Sequence, residues 1–302
     1  MFQKVFGPAI SKRGRQVPSY EEVRYNASLV LGNGNIVTSD PFPIPNNYKD
    51  IGGYHIFNFN KSLPQNLQDI LDNARNGVIY FSLGSILKVS SMSNNLQKAI
   101  LEVMSNTNRE VIFNSDVTFS YVSRNIHIVN YAPQLNILAH PNCVLFVTHS
   151  GLLSITEALY YGVPVIGVPF FADQYNNINK VTDLGYGKQA YLDVESAGNL
   201  QEVMAELLDD PKYRQRAKKL SKIYHHELVS PGKKLVHWIE HVILSGGAPH
   251  LRSNTLKVEW YKKLYLDLLG VFILALTAII VLIKYILSLR KIIEVRIKTK
   301  TV

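Results

Sequence analysis

Apolar runs of strand length alternate with helix-like patterns through the middle of the chain. The runs are continuous, as in strands whose two faces are both covered, and they span residues 78–83, 110–113, 126–129, 144–148 and 163–168. Apolar residues spaced three and four apart predict helices over residues 152–160, 201–208, 211–224 and 233–244. This alternation predicts an α/β fold with a doubly wound parallel sheet.

Helix-start signals support two of these elements. Leu96, Ile100 and Met104 recur every four residues after Ser93, which we expect to be an N-cap. Pro211 stands where a helix would begin, and its fixed φ suits the first helical position.

The segment LLGVFILALTAIIVLIKYIL, residues 268–287, is apolar except for Lys284. Twenty helical residues extend about 30 Å, the thickness of a bilayer's hydrocarbon core. A helix buried in a protein core is the alternative. Trp260, Tyr261 and Tyr265 precede the run, as in an interfacial aromatic belt. We therefore expect one transmembrane helix.

Charge and cysteine content narrow the function classes. The net charge is +9, and many of the Lys and Arg residues flank the apolar segment. This placement indicates a membrane edge, and we expect no nucleic-acid partner. Cys143 is the only cysteine, which excludes an intrachain disulfide, and its apolar neighbours predict a buried, inert thiol.

Five segments follow from these patterns. We expect a remnant of a preceding domain and a linker over residues 1–60, a ligand-binding domain over 61–250 and a juxtamembrane segment over 251–267. The transmembrane helix spans 268–287, and a basic tail spans 288–302. The first sixteen residues contain no apolar signal-peptide region.

The excess of Lys and Arg after residue 287 predicts a cytosolic tail, with the body in the lumen of the endoplasmic reticulum. Lys298 and Lys300 resemble a dilysine address, although an ordinary basic stop-transfer tail has the same composition. Asn26 and Asn60 begin glycosylation sequons, which weakly support a lumenal body.

Polar, glycine-containing turns follow three of the expected strands, where open α/β sheets bind their ligands. The first turn offers Ser82, Gly84 and Ser85, whose backbone and hydroxyls can approach a phosphate. The second contains His149 and Gly151 before a helix whose N-terminal amides favour an anion. His149 as a cap or ordinary turn residue is the alternative.

Three further side chains suit a sugar ligand. Glu157 lies on the helix after the second turn, and its carboxylate can accept two hydrogen bonds from a vicinal diol. A solvated helix face is the alternative. Asp173 and Gln174 follow the fifth strand and can bind sugar hydroxyls, with N-capping of the next helix as the alternative for Asp173.

With these motifs, the chain resembles the C-terminal domain of animal UDP-glycosyltransferases, with insect-like features. The matching stretches are GVIYFSLGS at 77–85, the long segment 132–177, and WIEHVILSGGAPHLR at 238–252. The resemblance runs from about residue 26 to residue 287. It implies a GT-B architecture of two Rossmann-like domains, of which the second binds the UDP-sugar donor.

The resemblance also implies roles for individual residues. Gln134 and Tyr131 match positions that contact uracil, and Glu157 matches the ribose ligand. Ser82, Gly84, Ser85, His149 and Gly151 match the diphosphate loops, and Asp173 and Gln174 match the ligands of the transferred sugar. The implied reaction moves a hexosyl or glucuronosyl unit to a small lipophilic acceptor with inversion, as in detoxification, without metal or other cofactor.

Two departures and one expected absence stand out. Tyr131 replaces the family's usual tryptophan, and Ser150 replaces a glycine, which predicts crowding or a positive φ. The family's catalytic histidine would lie before Met1, so we expect binding of the UDP-sugar without transfer; the other histidines, His55 included, match no base motif. The alternative is a natural short form that binds UDP-sugar and associates in the membrane with copies of itself or with full-length relatives.

Overall fold

The computed structural model describes residues 1–41, 43–56, 62–193, 196–253, 255 and 258–300, with side chains as far as residue 293. Two compact units divide the chain: one comprises residues 29–44 and 48–247, and the other residues 1–28, 45–47 and 248 onward. The sequon residue Asn60 and the side chains of Lys298 and Lys300 lie outside the described residues. The two units do not test the five-segment division proposed above, which stays a prediction.

The larger unit is built on a six-stranded, fully parallel sheet. Its strands are β3 (Val78–Ser82), β4 (Glu110–Asn114), β5 (Ile126–Val129), β6 (Cys143–Thr148), β7 (Val165–Gly167) and β8 (Gly187–Gln189), in the spatial order β5-β4-β3-β6-β7-β8. A small parallel pair, β1 (Val30–Gly32) and β2 (Tyr48–Asp50), lies outside this sheet. The order is that of a doubly wound Rossmann fold, which confirms the predicted fold class.

The helices that belong to this unit are α3 (Gln65–Asn73), α4 (Asn94–Ser105), α5 (Gln134–Ala139), α6 (Leu152–Tyr161), α7 (Gln174–Asp183), α8 (Leu200–Asp209), α9 (Pro211–His225) and α10 (Pro231–Leu244). The four helices predicted from apolar spacing are present with bounds shifted by at most two residues. Ser93 caps α4 by accepting a hydrogen bond from the Leu96 amide at 3.1 Å. Pro211 is the first residue of α9, as predicted.

The sheet is covered on both faces, which explains why its strands are continuously apolar. Tyr80 of β3 and Phe146 of β6 are paired neighbours on one face, with stacked rings 5.0 Å apart. They pack with apolar residues of α3, α5, α6, α7 and α9. Phe81 and Leu145 point to the opposite face, where α4 and α8 cover them. Successive residues of a strand therefore contribute to two different cores.

The second unit contains α1 (Phe2–Lys12), α2 (Tyr20–Tyr25), α11 (Trp260–Lys263) and the long helix α12 (Leu266–Lys300). Residues Leu266–Ile293 of α12 have a mean hydropathy of 2.8 over their most apolar window, none of which is buried. A helix that is apolar on all sides and uncovered is suited to lipid, in agreement with the predicted transmembrane helix.

Helix α1 was not predicted, since residues 1–60 were expected only as a domain remnant and a linker. The rings of Phe2 and Phe6 lie 5.4 Å apart on this helix, and Phe2 also contacts Tyr20 of α2 at 6.1 Å. These aromatic contacts between side chains of α1 and α2 support the helix.

Candidate functional site

One cavity of about 720 Å³ opens beyond the carboxyl ends of β3 and β6. These strands are adjacent, and the strand order reverses between them, so this edge is the switch point where doubly wound sheets bind ligands. The cavity is lined by eight of the ten predicted site residues: Ser82, Gly84, Ser85, Tyr131, Gln134, His149, Gly151 and Glu157. Residues separated by up to 75 positions in the chain therefore share one wall.

His149 occupies a slot between two glycines. A Cβ atom added at Gly84 would lie 2.5 Å from the imidazole Cε1, and one added at Gly151 would lie 2.6 Å from Nε2. Both distances are far below a normal contact. Gly84 also has a φ of +80°, whereas Gly151 has φ −61° and ψ 140°, which any residue adopts. Gly151 is thus required for space, and Gly84 for both space and backbone conformation.

The electrostatics of this slot favour an anion. Burial lowers the pKa of His149 below its usual value of 6.5, and the nearby Asp173 carboxylate opposes this only in part. The imidazole is therefore neutral at neutral pH and carries one N–H donor. Helix α6 begins directly after Gly151, which has no side chain to cap it. The amides and the positive dipole end of α6 thus face the same cavity as His149.

Ser82 holds the first turn in shape. Its hydroxyl accepts a hydrogen bond from the Gly84 amide at 3.4 Å and lies 3.3 Å from the side-chain amide of Asn114. In the orientation that satisfies both groups, the hydroxyl donates to Asn114, whose NH₂ group donates to the carbonyls of Val129 and Asn130. Ser82 therefore links the ends of β3, β4 and β5 while lining the cavity.

Glu157 is the buried carboxylate of the cavity wall. Its exposed fraction is 7%, which excludes the solvated helix face considered above. Gln134 donates its side-chain N–H to Glu157 Oε2 at 2.6 Å and also lies 3.2 Å from the Ser154 hydroxyl. His55 approaches the other oxygen, with Nε2 3.0 Å from Oε1. Both carboxylate oxygens are thus held by side chains from distant parts of the chain.

Asp173 and Gln174 do not line this cavity. Asp173 stands at the N-cap position of α7 but makes no capping bond, and it accepts a hydrogen bond from Asn177 at 2.8 Å instead. Gln174 is 4% exposed, and its side-chain oxygen accepts from the amides of Phe170 and Phe171 at 2.8 and 3.1 Å. Gln174 shapes the turn before α7, and a role of either residue in sugar binding stays a prediction.

The two departures from the family pattern lie at the site. Tyr131 is 82% exposed at the cavity rim, where its ring presents a free face. Ser150 has a φ of +66°, as predicted from the replacement of a glycine. Its hydroxyl is buried and has no hydrogen-bond partner among the described residues. Ser150 therefore combines backbone strain with an unsatisfied polar group.

We expect Ser150→Gly to raise the free energy of unfolding by about 1–2 kcal/mol. Glycine relieves the left-handed backbone and removes the unpaired hydroxyl, and the expected net gain already includes a loss of about 0.5–1 kcal/mol from the larger entropy of glycine in the unfolded chain. Thermal unfolding followed by circular dichroism should show Tm higher by about 2–4 °C per kcal/mol.

Two control variants separate the effect of the unpaired hydroxyl from the effect of the strained backbone at Ser150. Ser150→Ala removes the hydroxyl but keeps the strained φ, and Ala172→Gly relieves a similar φ of +57° at an exposed position without a hydroxyl. Each is expected to stabilise less than Ser150→Gly. A lower Tm for Ser150→Gly would contradict the assignment of strain.

Three hydrogen-bond partners of Ser82, Gln134 and Glu157 were not identified from the sequence. Asn114 is the last residue of β4, so the same rule that selected the other strand ends could have found it. Ser154 lies one turn into α6, beside Glu157, and carries no distinctive spacing. His55 is 102 positions from Glu157, and no local pattern joins the two.

The described residues offer neither a metal centre nor a reactive thiol. Within the described ranges, no group of three or more His, Cys, Asp or Glu side chains is arranged to hold a metal ion. Burial raises the pKa of the Cys143 thiol to about 12, which confirms the predicted inert cysteine.

Solved structures share this fold. A rice protein described as Os79 in complex with U2F and trichothecene has a TM-score of 0.52 and 22% identity, over 63% of this chain and 48% of that chain. A UDP-glucose: anthocyanidin 3-O-glucosyltransferase in complex with UDP has a TM-score of 0.53 and 20% identity, over 61% and 44%. At these identities the likeness concerns the fold, and it agrees with the predicted GT-B relationship.

Sequence relatives are more informative. UDP-glycosyltransferase UGT5 of Dactylopius coccus is 34% identical over 274 residues, which cover 90% of this chain and 52% of the relative. Human UDP-glucuronosyltransferase 2B7 is 31% identical over 245 residues, or 80% and 46%. The chain thus spans about half the length of these relatives. The family profile "UDP-glucoronosyl and UDP-glucosyl transferase" matches residues 4–300. Matched over nearly its whole length and related to insect and mammalian enzymes alike, the chain belongs to the UDP-glycosyltransferase family.

Proposed function

We propose that the cavity at the ends of β3 and β6 binds the UDP portion of a UDP-sugar. The observation that carries the proposal is that one wall of the cavity combines groups suited to a diphosphate with a group suited to a ribose. A neutral His149 and the amide-bearing start of α6 suit a diphosphate, and the buried carboxylate of Glu157 suits a ribose diol. Membership of the family and the switch-point location support the same ligand.

The proposal assigns each part of the ligand to a group of residues. The diphosphate would contact the turns at Gly84 and Ser85, together with His149 and Gly151. Glu157 would accept hydrogen bonds from the ribose, and Gln134 and the exposed ring of Tyr131 would contact the uracil. Asp173 and Gln174 would serve the transferred sugar, at the turn before α7.

The reaction we propose for the complete enzyme is an inverting displacement at the anomeric carbon of the sugar. The oxygen of a small lipophilic acceptor forms the new bond, the bond from C1 to the β-phosphate oxygen breaks, and UDP leaves with the electron pair. A general base takes the acceptor proton. The described residues of this chain would contribute the donor side, because the N–H donor of His149 and the positive dipole end of α6 would stabilise the developing charge on UDP. No metal or other cofactor enters the proposal.

We place the enzyme in the membrane of the endoplasmic reticulum, with its body lumenal and its tail cytosolic, and we allow association with further copies or relatives. The exposed apolar helix α12 supports a bilayer as partner. Protection of the larger unit from protease in sealed microsomes tests the orientation, since a cytosolic body would be digested.

Calorimetric titration of the detergent-solubilised chain tests donor binding. We expect heat of binding for UDP-glucose, UDP-glucuronate or UDP-galactose, and weaker binding for ADP, which lacks uracil. Glu157→Ala and His149→Ala should each weaken binding of UDP by about 10- to 100-fold, because each removes a hydrogen bond that involves a charged partner.

His225→Ala is the matched control, since His225 does not line the cavity. Its affinity for UDP should equal that of the wild type. Equal affinities in the Glu157 and His149 variants would remove the site assignment, and a wild-type chain that binds no uridine nucleotide would remove the proposed function.

A further inference from the structure

His55 contacts the cavity wall from behind. Its Nε2 atom lies 3.0 Å from Glu157 Oε1, and His55 is not among the residues that line the cavity. A carboxylate oxygen accepts hydrogen bonds, so Nε2 must donate in this contact. The side chains are 21% exposed for His55 and 10% for Glu157, so water competes only weakly.

A hydrogen bond and a buried side chain hold the segment that carries His55. It is a short 3-10 turn, Tyr54–Ile56, that follows Gly53 with φ +88°. The buried hydroxyl of Tyr224 donates to the Gly52 carbonyl at 2.6 Å, and Ile56 is 4% exposed. The turn that carries the imidazole is therefore tied to α9 through Tyr224 and anchored by the buried Ile56.

The contacts of His55 and Gln134 occupy only two of the lone-pair sites on the Glu157 carboxylate. An ionised carboxylate has about four lone-pair sites. His55 takes one on Oε1 and Gln134 takes one on Oε2, which fixes the plane of the group, and the remaining sites have no hydrogen-bond partner among the described residues. Without His55, Oε1 would lack this donor, and the carboxylate could rotate about its last torsion.

We infer that His55 is a positioning residue for nucleotide recognition: its Nε2–H orients the Glu157 carboxylate to accept the hydroxyls of the donor's ribose. The inference rests on the proposed function and adds a specific consequence. His55 touches no ligand atom, so its loss acts through Glu157 and affects the part of the affinity that depends on the ribose hydroxyls.

Titration of the full chain with UDP and with 2′-deoxy-UDP measures how much of the affinity depends on the 2′-hydroxyl of the ribose. The wild type should bind UDP about tenfold more tightly than 2′-deoxy-UDP, as expected for one hydrogen bond to a charged group. His55→Phe keeps an aromatic ring but has no N–H donor, and it should reduce this ratio to about twofold or less. His55→Gln places an amide N–H near the Nε2 position and should retain most of the ratio.

A matched control removes an equivalent pair elsewhere. His127 Nε2 lies 2.7 Å from Glu110 Oε2, away from the cavity, so His127→Phe should leave the ratio unchanged. His55→Asn, whose amide stops short of Glu157, repeats the test with a polar side chain if the Phe variant fails to fold.

The outcomes distinguish the two proposals. A wild-type chain that does not bind UDP overturns the proposed function together with this inference. Binding of UDP with the same UDP to 2′-deoxy-UDP ratio in wild type, His55→Phe and His55→Asn overturns the role of His55 alone. A lowered ratio in both variants, retained in His55→Gln, supports it.

Discussion

Phe146→Ala is expected to lower the free energy of unfolding by about 3–5 kcal/mol. Phe146 is fully buried in β6, at the centre of the sheet, and its ring stacks on Tyr80 of β3 at 5.0 Å. Alanine loses this apolar burial and leaves a cavity that the two strands, covered by helices on both faces, cannot close.

Urea unfolding of the detergent-solubilised chain, followed by far-UV circular dichroism, measures the loss as a lower midpoint. Tyr121→Ala serves as control because Tyr121 is 87% exposed, and its midpoint should match that of the wild type. A Phe146 variant with an unchanged midpoint would mean that the aromatic pair contributes nothing to the sheet core.

Gly151→Ala is expected to weaken the binding of UDP by about 10- to 100-fold while the chain stays folded. The added methyl group would lie 2.6 Å from His149 Nε2, so the imidazole must leave its slot. Alanine adopts φ −61° and ψ 140° without strain, and we expect stability to change by no more than about 1 kcal/mol, the usual cost of alanine at an N-cap.

A double-mutant cycle identifies the cause of this loss. In a His149→Ala background the methyl group has no imidazole to displace, so Gly151→Ala should cause no further loss of affinity. Gly7→Ala is the matched control, because its methyl group would make only ordinary contacts of 3.9 Å with Val17. Equal losses from Gly151→Ala in both backgrounds would contradict the slot model.

The Gly151 and His55 experiments address two different parts of one ligand, the diphosphate and the ribose. Displacement of His149 should weaken UDP and 2′-deoxy-UDP equally, because the imidazole is proposed to serve the diphosphate. Loss of His55 should instead reduce the difference between the two nucleotides. The pair of results therefore locates the diphosphate and the ribose independently within the cavity.

The pattern of apolar residues was sufficient to predict the fold class, because every residue of a strand covered on both faces is buried and therefore tends to be apolar. The runs at β3 and β6 are apolar on both faces, and both faces are packed. Strand β8 was missed because its three residues, Gly187–Gln189, carry no apolar signal and pair only along one edge of the sheet. Pairing with β7, a non-local interaction, decides that element.

Most of the candidate site could be identified from local motifs, because its chemical groups are close together in the sequence. Turns such as Gly84-Ser85 and His149-Ser150-Gly151 carry their chemistry within a few residues, and parallel strands bring such turns to one edge. Ser150 illustrates how far this extends, since a positive φ was one of the two consequences expected from a serine in place of the family's glycine.

The chain's order of apolar runs, its lipid-suited helix and its glycine turns are properties of neighbouring residues, and the sequence alone predicts them. Contacts between distant residues could not. That His149 fills a slot bounded by Gly84 and Gly151, and that His55 reaches Glu157 across 102 positions, depends on how helices and turns pack on the sheet. Packing brings together groups whose separation along the chain carries no periodic signal.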